Sequence, residues 1–126
     1  MGKIHFVKVG QKSLPVAYTL SAMADLEEEF GKPVGEILAN VGSLNAKEVR
    51  ILMRAGLHCG EQVHNGEKAK QYTDQELDEL FLGSAFYTYK QFIEILIKDS
   101  GIQAINEESE REEAKNQKAR AEKPNP

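Results

Sequence analysis

His58, Cys59 and His64 are the residues whose types and spacing come nearest to chemistry in this chain. Imidazole nitrogens and a thiolate are good zinc ligands, and a Cys-His pair can support covalent catalysis. A closed structural zinc site takes four ligands, however, and the one other histidine, His5, falls in a predicted strand. Cys59 has no orienting partner or oxyanion donor that the sequence points to. The expectation is therefore a thiol near a helix end, with no metal and no cofactor. The acidic run Asp25, Glu27, Glu28 and Glu29 reads as a solvated helix face, because neighbouring carboxylates on a helix project in different directions. Neither GxxxxGK[ST] nor GxGxxG occurs, and the NGEK at 65–68 is a turn signal. No enzyme is expected.

A chain of 126 residues suits one core. Its net charge of −4 disfavours a dominant electrostatic hold on nucleic acid or anionic lipid, both of which need concentrated basic surface. A single cysteine allows no intramolecular disulfide, and residues 1–10 show no charged-then-apolar secretory pattern. Apolar runs fall well short of the roughly 20 residues a membrane span takes. A soluble protein of a reducing cytoplasm, without nucleic acid or membrane partners, is the expectation.

The elements that must position these residues follow from periodicity. KIHFVKV, residues 3–9, alternates as a strand, Gly10-Gln11-Lys12 is a turn, and Leu14–Tyr18 can pair back, with Pro15 tolerated at an edge. Thr19 or Ser21 can cap a helix whose Leu20, Met23, Leu26 and Phe30 share one face. Gly31 supplies a left-handed stop and Pro33 opens a second short helix carrying Val34, Ile37, Leu38 and Val41. Asn45 with Glu48 has capping-box spacing, and a third helix then runs to about Cys59. Residues 60–72 read as a loop. Thr73 with Glu76 starts a helix through Leu77, Phe81, Phe86, Tyr89, Phe92 and Ile97, in which Gly83 marks a kink or a close crossing.

Residues 102–126 carry six acidic and five basic side chains but only two large aliphatics, Ile102 and Ile105. They cannot build a core: the stretch could make a solvated helix held by weak opposite-charge pairs, and as a tail on its own it is expected to be flexible or frayed. The predicted architecture is mostly α (α+β): an N-terminal β-hairpin followed by a bundle of about four to five helices over 1–101, then the tail over 102–126. The helix holding Phe81, Phe86, Tyr87, Tyr89 and Phe92 is apolar on more than one side and needs a second neighbour. Leu57, Leu77, Phe81, Phe86, Tyr89 and Phe92 are accordingly the candidate partner-binding residues, for a client protein or a second copy.

Beyond the hairpin, YTLSAMADLEEEFGKPVGEIL, LNAKEVRILMRAGLHCG and TDQELDELF resemble the tail assembly chaperones of long-tailed phages, prophages and gene-transfer agents. Their TLGAL-x-x-LE-x-x-FG type segment is matched by Thr19, Leu20, Ala22, Leu26, Glu27, Phe30 and Gly31, with Ser21 where the family commonly has glycine. Their LSA-x-x-L-x-x-L-x-AGL type helix is matched by Leu44, Ala46, Leu52, Ala55, Gly56 and Leu57. The resemblance covers residues 3–97. It implies a non-enzymatic chaperone of the host bacterial cytoplasm that coats the helical tape measure protein until tail tube subunits polymerise around it. Two other classes are a small structural virion component, such as a tail completion or head-tail connector protein, and a helix-turn-helix regulator. The latter would have only Lys47, Arg50 and Arg54 as a basic recognition face.

Overall fold

The computed structural model describes residues 4–122. Strands β1 (His5–Val9) and β2 (Lys12–Val16) form an antiparallel hairpin in the register His5↔Val16, Val7↔Leu14 and Val9↔Lys12. The two-residue turn needs φ > 0 at its first central position, and Gly10 supplies it at φ 63°. With Val9 and Lys12 as the first hydrogen-bonded pair, Pro15 opposite Phe6 falls in a pair that exchanges no hydrogen bonds. The ladder loses nothing to its missing N–H. Val7, Leu14 and Val16 turn inward and join the core.

Six helices follow: α1 (Leu20–Phe30), α2 (Val34–Ala39), α3 (Ala46–Asn65), α4 (Asp74–Leu80), α5 (Ala85–Ser100) and α6 (Ile102–Glu122). Thr19 caps α1 by accepting the Ala22 amide, and Gly31 ends it in the left-handed conformation at φ 67°. Leu20 is 81% exposed, a departure from the expected apolar stripe. It occupies the first helical position, where the capped chain swings it outward, and Ala22 and Leu26 carry the buried face instead. Pro33 sits one residue before α2, as its N-cap. It has no N–H to give and no side-chain acceptor, and the Glu27 carboxylate accepts the Val34 amide at 2.9 Å in its place. One member of the acidic run thus locks the α1–α2 corner.

α3 runs six residues beyond the expected end at Cys59 and takes in half of the predicted loop. Asn45 and Glu48 close its capping box at 2.9 and 3.1 Å. Gly60, read from sequence as a loop residue, lies inside this helix because β2 crosses it there: a Cβ at Gly60 would overlap the Pro15 carbonyl, and one at Gly56 would overlap the Tyr18 ring. The same approach lets the Ala17 amide donate to the Gly56 carbonyl (3.2 Å) and the Tyr18 hydroxyl to the Leu52 carbonyl (2.7 Å). Thr73 and Glu76 form the capping box of α4. The long helix expected from Leu77 onward divides into α4 and α5, because Gly83 takes φ 85° and ends helical geometry instead of kinking it. Residues 102–122 form α6, the helical alternative that their charge pattern allows. Ile102 lies near Gly35, while residues 103–105 and 107–115 are exposed to solvent, in keeping with their composition.

Candidate functional site

The chemically suggestive residues do not converge. His58 Nε2 accepts the Tyr72 amide at 3.0 Å, and the two rings stack at 6.3 Å. Cys59 Sγ lies 3.4 Å from Thr19 Oγ1, and His64 meets Phe6 edge-on at 5.4 Å. His5 Nε2 lies 2.9 Å from Asp99 Oδ1, whose other oxygen accepts the Tyr18 amide. Each imidazole or thiol serves a separate join between elements. Among the described residues, no three His, Cys, Asp or Glu side chains form a group that could hold a metal ion. A polar cleft of about 380 Å³ between α1 and α3 has Asp25, Glu29, Arg54, His58 and Cys59 on its walls.

Sequence reasoning missed Glu61, a buried carboxylate within the stretch expected to be a loop. It accepts from Asn65 Nδ2 (2.6 Å), the Lys70 amide (3.3 Å) and the Tyr72 hydroxyl (3.5 Å). With His58 it straps the segment 66–73 onto α3. Burial, then the Glu61 charge, pushes the Tyr72 phenol up. Burial and, less strongly, the Arg54 charge oppose protonation of His58 and lower its pKa from the ordinary value.

The surface with the character of a binding site lies between the N-terminal half of α3 and the α4–α5 corner. It is a groove of about 540 Å³ with Val49, Met53, Leu77 and Phe81 at its apolar floor. Gly83 breaks the helix at its end, which turns Leu82 (85% exposed), Phe86 (65%) and Tyr87 (77%) out to solvent. Leu82 and Phe86 line the groove and form its apolar lip. Lys47 stands on the α3 wall and Asp78 on the α4 wall, and neither forms an ion pair among the described residues.

Of the six residues proposed from sequence as a partner face, the structure leaves one open. Phe86 is exposed; Leu77 and Phe81 are buried but floor the groove. Leu57, Tyr89 and Phe92 belong to the interior: Phe92 stacks edge-to-face on Phe81 at 6.1 Å, and the Tyr89 hydroxyl donates to the Val41 carbonyl at 3.0 Å. Burial, then the Glu48 charge, pushes the Tyr89 phenol up to about 12. The helical line was legible, but the hairpin and α3 cover most of it. Leu82 was missed although it stands four residues before Phe86, on the line that continues through Tyr89 and Ile93. Its neighbour Gly83 was the available signal.

The basic residues of α3 are largely occupied. Arg54 pairs with Asp74 in the first turn of α4, and Arg50 Nε lies 3.8 Å from the same carboxylate. Lys47 is left as the one free cation of the three expected on a recognition face, among the described residues. No described helix is long and apolar enough to cross a membrane. Comparison of the chain with family models, with curated proteins and with solved structures gave no match in any of the three.

Proposed function

We propose that this chain is a non-enzymatic tail assembly chaperone that holds the tape measure protein of a phage or prophage in the bacterial cytoplasm until tail tube subunits assemble around it. The observation that carries the reading is the apolar groove with its exposed Leu82–Phe86 lip, added to the resemblance of the segments 18–38, 44–60 and 73–81 to that family. A tape measure protein is a long helical chain with apolar seams, and helix-in-groove recognition answers such a seam with a short apolar trough. Coverage by many small acidic copies keeps it from aggregating before the tube forms. The engagement of Arg50 and Arg54 by Asp74 counts against a DNA-binding regulator, whose recognition face needs free cations.

Co-expression with the tape measure protein of the same tail gene cluster tests this. The expected result is a soluble complex with the wild-type chain, loss of that complex with Leu82→Asp plus Phe86→Asp, and absence of the chain from finished particles. An unbound, insoluble tape measure protein overturns the reading. Recovery of the chain as a stoichiometric part of purified virions also overturns it, in favour of a structural virion component.

A further inference from the structure

From the groove and its rim we infer that the chain by itself pairs with a second copy through this surface, as a two-fold dimer. The surface is complementary to itself. An apolar recess floored by Met53, Leu77 and Phe81 is continuous with the apolar projection of Leu82 and Phe86, so each copy offers both what fills a groove and a groove to be filled. Its two walls carry opposite charges, Lys47 and Arg50 on α3 and Asp78 on α4; Arg50 Nε lies 3.8 Å from Asp74, while Lys47 and Asp78 have no ion-pair partner among the described residues. A two-fold axis running along the groove exchanges the walls and sets the Lys47 side of each copy on the Asp78 side of the other. Two ion pairs form at the rim around a desolvated centre in which the two lips close over the grooves. The arrangement is isologous and closed, so it ends at a dimer and does not propagate as a filament. Charge complementarity favours this occupant: a second copy sets its Asp78 wall on the cationic α3 wall of Lys47 and Arg50 and its own cationic wall on Asp78, whereas a segment of one charge meets like charge on one wall.

The inference concerns the chain alone and does not depend on which client it serves. A groove occupied in this way is shielded from water until a client competes for it.

The test is the mass of the purified full chain in solution, by light scattering or sedimentation over a concentration series. The expected result is twice the 14.1 kDa of one chain. Leu82→Asp with Phe86→Asp should give a monomer with unchanged helical circular dichroism. Lys47→Glu alone and Asp78→Lys alone should each weaken association by about tenfold, because symmetry repeats each rim pair. The two together should restore it, since the swapped walls are complementary again. A wild-type monomer at every concentration, a dimer that survives the lip substitutions, or a charge swap that fails to restore association overturns the proposal. A monomer that still carries the tape measure protein separates failure of the dimer from failure of the chaperone reading.

Discussion

His58 accepts a backbone amide in a half-buried setting, and that combination makes it a pH-sensitive join. Its lone pair at Nε2 is free for the Tyr72 amide only while that nitrogen is unprotonated. Burial and the Arg54 charge lower its pKa in the folded chain below the unfolded value, so unfolding takes up a proton as the pH drops. The contribution is fully present above the unfolded pKa and is lost as pH falls through the lower, folded one. His58→Gln keeps an acceptor and removes the titration. Between about pH 7.5 and about pH 5, thermal unfolding should show a smaller loss of stability in this variant than in the wild type. Equal losses in the two proteins would remove His58 as the origin. Nothing in the residue types around positions 58 and 59 announced this structural part. Their sequence neighbours suggested metal or thiol chemistry, and only the return of the chain at Tyr72 supplied a partner.

The decisive contact between elements is the crossing of β2 over α3. Tyr18, Ala17 and Pro15 approach that helix at Gly56 and Gly60, one helical turn apart, which bare a strip of backbone. Gly60→Ala relieves the helix of about 1 kcal/mol of intrinsic glycine penalty. It also forces a methyl group into the Pro15 carbonyl, and the steric term wins because a backbone atom of a paired strand cannot step aside. A net loss of about 2–3 kcal/mol is expected in urea unfolding. A variant as stable as the wild type would show that the strand and helix separate more easily than their contacts imply. Periodicity and caps were readable at this scale: Thr19, Asn45 and Thr73 cap the helices where expected. The reach of α3 to Asn65 was not, because Gly60 is a breaker in isolation and becomes a requirement once a strand lies against it.

At the scale of the whole molecule, the buried core formed by the described residues ends at α5. Residues 103–105 and 107–115 are exposed, and Ile102 makes the tie to Gly35. A chain ending at Gly101 should therefore fold with a melting temperature within about 3 °C of the full chain. A larger drop in differential scanning calorimetry would mean that α6 shares in the core. The sequence by itself determined the hairpin, its turn at Gly10, the helix caps and the polarity of residues 102–126. These depend on local sterics, on capping hydrogen bonds and on apolar periodicity, all of which act within a few residues. Tertiary structure alone decided which apolar residues remain on the surface. Leu57, Tyr89 and Phe92 share a pattern with Phe86, yet the first three are covered by elements distant in sequence, while the turn at Gly83 leaves Phe86 and Leu82 beside an open groove. Burial is a property of packing between segments that lie far apart along the chain, and periodicity along one segment cannot report which of its faces another segment will reach.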